Sequence, residues 1–487
     1  MVRALALSLA VLFALPIGFL DAAVVGESPQ PADATPPQVL KLREEAEGGS
    51  SEAAVELGKI YAEGQLLQRN LSEAERFLEQ ALEAREPSAY HPLGILLLRT
   101  SNNGQDVERA ARAFEILRAA AATDPDCSIA LGQLRSQGQF VKQDFDEAEK
   151  RFQAAADMGS ANGLYWLGWL LAGEAGFPER IDPARAETTL EQAFEQGSIE
   201  AGRLLVALLR SGERLPKNEE KAFSLVAKAA ESNSDARLFL GELYEEGAGV
   251  EASPQKALEA YRAAAKGGNV RAMNKLGLLY SAAEGPIETD LAQAREWFDK
   301  AAAQGLAIAH LNLALLIDTE AEPGSEEGRK AAEHLIVAAG AGITDAQDRL
   351  GAWYRDGRHV TRDLVAAATW FRPAAQAGNL NAMINLAQIL EANIQTVNDL
   401  QAAADLYVQA ANAGHPVAHF HLARLLASGV TGSIDLVRAH AHLAAAVKAG
   451  FGGAQASLQQ VESLLDEQQK AASLQVQGTL RVLPWNG

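Results

Sequence analysis

A leucine followed by glycine, or by a small or apolar stand-in, recurs along this chain. It stands at Leu57-Gly58, Leu93-Gly94, Leu131-Gly132, Leu167-Gly168, Leu205-Val206 and Leu240-Gly241, then at Leu276-Gly277, Leu313-Ala314, Leu350-Gly351, Leu386-Ala387 and Leu422-Ala423. Successive registers lie 35 to 38 residues apart, so eleven units follow one another without a long break. A fixed period of that size marks a solenoid, in which each unit packs on its neighbours and length alone no longer implies separate domains.

Each unit reads as two helical segments. The first has the form A-x-x-x-L-G-x-x-[YL]-x-x-G, as in Ala54–Gly64 (AVELGKIYAEG) and in 237–247 (RLFLGELYEEG). Its apolar residues fall three and four apart and form one buried stripe. A glycine inside a helix costs about 1 kcal/mol against alanine, so its recurrence points to close approach of a neighbouring helix. The second segment, A-x-x-[WA]-[FY]-x-x-A-A-x-x-G, is seen in Ala294, Trp297, Phe298, Ala301, Ala302 and Gly305. It returns in Ala367, Trp370, Phe371, Ala374, Ala375 and Gly378, and in Ala257, Tyr261, Ala264, Ala265 and Gly268. The aromatic is expected to sit in a shallow hole made by the paired alanines. Asp146, Asp182-Pro183 and Ser253-Pro254 read as helix starts.

Composition agrees with helices. Hydrophobic residues make up 48% of the chain but aromatics only 6%, so alanine and leucine carry the core. The formal net charge of −20, with no concentrated run of Lys or Arg, argues against nucleic acid and anionic membrane surfaces as partners. One cysteine, Cys127, excludes an internal disulfide framework or a cysteine-rich zinc site, and reads as a small buried hydrophobe.

The ends differ from the middle. Residues 1–23 resemble a signal peptide, with Arg3 before the apolar stretch Ala4–Leu15 and its extension Ile17–Leu20; retention as a single anchor is the alternative. Residues 24–37 form a proline-rich linker. The solenoid is expected over 38–475, opened by a half-repeat at Val39–Gly49 and closed by one polar helical stretch at 454–474. The tail 476–487 (VQGTLRVLPWNG) reads as extended peptide, either docking on a partner or folding back on the chain.

The Leu-Gly and Ala-Ala-x-x-Gly combination resembles the Sel-1-like repeat family, related to tetratricopeptide repeats, over about 39–475. That resemblance implies an all-α fold, a right-handed α-solenoid of about eleven antiparallel helix pairs, serving as a scaffold for protein complexes. Exported bacterial members include regulators of exopolysaccharide synthesis, an alginate-export scaffold and host-interaction factors. Members once called β-lactamases carry paired cysteines in every repeat; this chain does not, so that activity does not carry over. The lone cysteine likewise offers no lipid-attachment site of the kind the alginate-export scaffold uses.

No nucleophile elbow, phosphate-cradling loop or dinucleotide fingerprint appears, so the chain is read as a non-enzyme without cofactor or metal. Five of the nine histidines, His415, His419, His421, His440 and His442, gather in the last repeat. His415 and His419 can share a helical face, whereas His419 and His421 point apart; ordinary repeat drift is the plainer reading. Exposed positions on the concave face are expected three before, one after and four after the Leu-Gly glycine. These select Tyr165 and Trp169, Arg203 and Arg210, and Glu242 and Glu245 as a candidate partner-binding patch. The partners implied are other proteins, in the periplasm or at the cell surface, with direct binding of a polysaccharide as the alternative.

Overall fold

A computed structural model of the chain describes residues 37–484 apart from 65–68, 102–105, 139, 284, 286, 393–396 and 430–432. The stretch 1–23, expected to be a signal peptide or anchor, and the linker up to Pro36 lie outside the described residues. Within them the chain is all helical, without a strand, and antiparallel helix pairs follow one another as the repeat predicts. By internal contacts it divides into two units, Met1–Ala264 and Ala265–Gly487, each a stack of such pairs.

The Leu-Gly glycine is explained by what it faces. A side chain on Gly132 would begin 2.5 Å from Phe152, one on Gly277 2.5 Å from Phe298, and one on Gly351 2.7 Å from Phe371. Leucines do the same where no aromatic stands, as Leu78 over Gly58 and Leu190 over Gly168. The aromatic of the second helix therefore packs on the glycine of the first, and not in a hole of paired alanines as expected. In the fifth register Val206 replaces the glycine, and the fully buried residue at the facing position is the smaller Val226. Volume is conserved across the contact, as a close-packed interior requires.

Several second helices are tied to their first at the turn between them. Asp144 accepts from the backbone N–H of Glu147 at 3.1 Å, opening helix Phe145–Asp157. Its own N–H donates to the Arg135 carbonyl at 2.9 Å. Asp363 repeats the arrangement, its N–H donating to Tyr354 at 2.8 Å. Asp182 and Ser253 are caps as read from sequence, whereas Asp146 lies in the first turn behind Asp144. In one such turn His359 takes a left-handed conformation, φ 60°, where Gly249 stands in an earlier repeat. Its imidazole is buried against the Asp318 carboxylate at 2.7 Å. The ring fits because Gly328 has no side chain to collide with it.

Neighbouring second helices are joined by charge. Arg112 pairs with Glu79 at 2.7 Å, Arg185 with Glu149 at 2.9 Å, Lys228 with Glu195 at 3.1 Å and Arg295 with Glu327 at 3.0 Å, each about one period away. Part of the acidic surface is thus spent on cohesion between repeats.

At the N-terminal end helix Pro37–Glu47 packs Val39 and Ala46 into the first core. At the C-terminal end the single stretch expected over 454–474 is two helices, Gln455–Glu462 and Glu467–Gln477. Asp466 and Gln469 form a reciprocal capping box that starts the second. Among the described residues no helix is long and apolar enough to cross a membrane.

Candidate partner-binding surface

Helix Ala161–Leu171 (ANGLYWLGWLL) is apolar on all sides, and a helix of that kind is buried all round. Tyr165 is accordingly 5% exposed, which corrects the expectation that it faces solvent. Its ring meets Trp166 edge-on at 5.2 Å, Trp166 meets Trp169 likewise at 5.2 Å, and Trp166 stacks on Phe152 at 6.0 Å. Burial, with Glu200 and Glu174 nearby, pushes the Tyr165 phenol up to about 12. Trp169 is half-buried against the same core and alone of the expected aromatic pair keeps solvent-facing surface.

Of the charged members of the patch, Arg203 and Glu242 pair with each other, while Arg210 and Glu245 take partners outside it. Arg203 reaches Glu242 of the next repeat at 2.6 Å and lies over the Phe239 ring at 4.6 Å. Arg210 pairs with Glu246 at 2.9 Å, and Glu245 accepts from the Tyr261 hydroxyl at 2.6 Å. The same kind of rung recurs as Arg424 on Glu391, and as Arg355 on Asn385 at 2.7 Å. Sequence reading named these residues without their bonds. The legible sign was opposite charge, or charge and amide, about one period apart.

A cleft that sequence reading missed lies among helices Thr344–Asp356, Leu380–Ala392 and Pro416–Ser428. It has a volume of about 320 Å³ and is lined by Asp348, Asn381, Ile384, Asn385, Gln388, His415 and Val417. Burial raises the Asp348 carboxyl, opposed by a hydrogen bond from Asn385. Gln388 contacts His421 at 3.1 Å and His415 contacts Asn381 at 3.3 Å. Asp348 and Gln388 occupy the three-before and one-after positions of their registers, so the positional rule applied further along the chain selects them.

The histidines are used in packing and in holding the tail. His419 and His442 meet through their Nδ1 atoms at 2.8 Å, and His419 Nε2 donates to the Arg481 carbonyl at 2.9 Å. The second bond requires a proton on Nε2, so Nδ1 of a neutral His419 accepts from His442 Nδ1–H. His440 contacts the Ser473 hydroxyl at 2.8 Å, and His421 stacks on Tyr407 at 4.9 Å. Burial is the leading cause that lowers all five imidazoles, His442 to about 4. The tail folds back: Leu483 N–H donates to the Gly414 carbonyl at 2.9 Å.

Seven stretches, residues 51–85, 125–160, 206–234, 234–269, 270–306, 344–379 and 380–415, match the family described as Sel1 repeat. The chain belongs to the Sel1 repeat family. A crystal structure of c5321, a protective antigen of uropathogenic Escherichia coli with this repeat fold, is 27% identical and has a TM-score of 0.50, covering 90% of this chain and 93% of that one. Chitin synthase regulator SKT5 of Saccharomyces cerevisiae is 28% identical over 261 residues, which is 51% of this chain and 37% of that protein. Alginate biosynthesis protein AlgK of Azotobacter vinelandii is 37% identical over 105 residues, 22% of this chain and 23% of that protein. The chain therefore spans well under two thirds of either curated relative. The stretches that the Sel1 matches skip include 161–205, 307–343 and everything after 415, which hold Tyr165, Trp169, Arg203, His419 and His442.

Proposed function

We propose that this protein is a non-catalytic scaffold of the bacterial cell envelope, exported through its apolar N-terminal segment, that holds partner proteins on its first-helix face. Sel1 repeats build protein-interaction scaffolds, which supports the binding reading over catalysis. The observation that carries it is the run of Sel1 repeats, and the shallow cleft beside Asp348, Asn381, Asn385 and Gln388 adds amides and a carboxylate that offer donors and acceptors on first helices. Two relatives are named for polysaccharide synthesis, chitin and alginate, so we place the scaffold in exopolysaccharide export or its regulation. Direct glycan binding is the weaker reading, because it calls for exposed aromatic rings and Tyr165 and Trp166 are buried.

Photo-crosslinking in cells tests this, with a benzophenone amino acid at Trp169, Arg210 or Gln388 and controls at Glu259 and Glu296 on second helices. Defined protein adducts from the first-helix positions alone are expected, in the envelope fraction. Adducts indifferent to face, or co-purifying polysaccharide without protein adducts, overturn the reading.

A further inference from the structure

The histidine pair that holds the tail has a second copy in the chain. His310 and His334 meet through Nδ1 at 2.9 Å, as His419 and His442 do at 2.8 Å. The registers agree: His310 and His419 each stand three before the repeat leucine, Leu313 and Leu422, and His334 and His442 each precede a buried leucine, Leu335 and Leu443. Gly305 and Gly414 each lie five residues before the first histidine.

The two copies differ in occupancy. A side chain on Gly414 would meet Arg481 Cγ at 3.1 Å and Leu483 Cγ at 3.2 Å, because the chain's own tail crosses there. At Gly305 nothing lies within 4 Å. His419 is fully buried and gives its Nε2–H to the tail carbonyl, whereas His310 is half-buried and its second nitrogen bonds the Ala302 carbonyl. That carbonyl also accepts from Gly305 N–H at 2.8 Å, so it stays satisfied when the imidazole turns to a new acceptor.

We propose that the Gly305–His310–His334 site docks an extended segment of a partner protein with the chemistry of Leu480–Pro484. One carbonyl of the segment takes the His310 N–H. The N–H two residues on donates to the Gly305 carbonyl, and the side chains of both residues straddle the glycine, as Arg481 and Leu483 do at Gly414. Asp299 and Glu333 lie beside the histidine pair and favour a basic residue at the Arg481 place; the opposing Arg295 is already paired with Glu327 at 3.0 Å. This inference rests on the protein-binding reading above and names the segment one site takes.

The probe is a fluorescently labelled peptide of residues 478–484, titrated into the full-length protein, whose own tail fills the last repeat. Binding is expected, and His310→Phe should weaken it about tenfold or more, the effect of losing one hydrogen bond from a desolvated contact. His310→Gln should retain it within about threefold, since Gln347 at the equivalent place donates to Ala339 at 3.1 Å. Gly305→Asn, which keeps the left-handed backbone but fills the space above it, should weaken binding with helicity unchanged. Affinity unmoved by His310→Phe and Gly305→Asn but altered by His419→Phe overturns the site while leaving protein binding intact. No peptide binding at all, beside protein adducts in the crosslinking experiment, overturns the site and spares the scaffold reading.

Discussion

The ring of Phe298 occupies the space in which a side chain on Gly277 would stand, 2.5 Å from where its Cβ would be. Helix propensity favours Gly277→Ala by about 1 kcal/mol. Overpacking against Phe298 should reverse that and cost about 1–3 kcal/mol net. The thermal midpoint of Gly277→Ala is expected to fall, and adding Phe298→Leu should recover part of the loss. A single variant as stable as the parent would mean that the ring moves aside freely.

Arg203 and Glu242 link neighbouring repeats at 2.6 Å with side chains 34% and 22% exposed. A double-mutant cycle with Arg203→Ala and Glu242→Ala should give a coupling of about 0.5–1 kcal/mol, shrinking as salt is raised. A coupling indistinguishable from zero at low salt would show that the rung does not hold the repeats together.

His442 carries an acid-sensitive contribution. Burial holds its imidazole at about 4 in the folded chain against 6.5 ordinarily. Between those values the unfolded chain binds a proton that the folded chain refuses, so stability is complete above about 6.5 and declines as pH falls toward about 4. One group shifted over that span contributes up to about 3 kcal/mol, and His415, His419 and His421 are shifted the same way. Melting temperature is expected to drop between about pH 7 and 5, and His442→Gln, which keeps an N–H for His419, should flatten the drop. A pH profile identical in His442→Gln and the parent would refute this assignment.

Cys127 is buried, and its thiol donates to Asp124 Oδ2 at 3.3 Å. Burial first, then the Asp124 carboxylate, pushes the thiol well above its ordinary range, and the nucleophile is the thiolate. A thiol reagent should leave the native protein unmodified and label it in denaturant. Prompt labelling of the native protein would contradict this.

The helix pairs and their boundaries near Gly64 or Asp182 follow from local pattern. Each reflects near neighbours in the chain or one contact repeated many times. The candidate patch was legible only by position. Trp169, Arg203 and Glu242 lie on first helices, and the apolar run of helix Ala161–Leu171 is the local sign, passed over by the positional rule, that Tyr165 turns inward. Asp348 and Gln388 obey the same rule but look like ordinary solvated residues until the third helix closes the cleft.

By itself the sequence determined the repeat, the two helices in each unit and the need for a small residue where helices approach closely, because helical periodicity and side-chain volume act within one unit; which large residue sits on that glycine was decided by the structure. Tertiary structure alone decided that Arg203 meets Glu242, that Asp348 and Asn381 share a cleft, and that Arg481 lies on His419. Those contacts join residues of different repeats, and they depend on how each unit is rotated against the next. That rotation is set by the packing of whole helices, so no single repeat's pattern contains it.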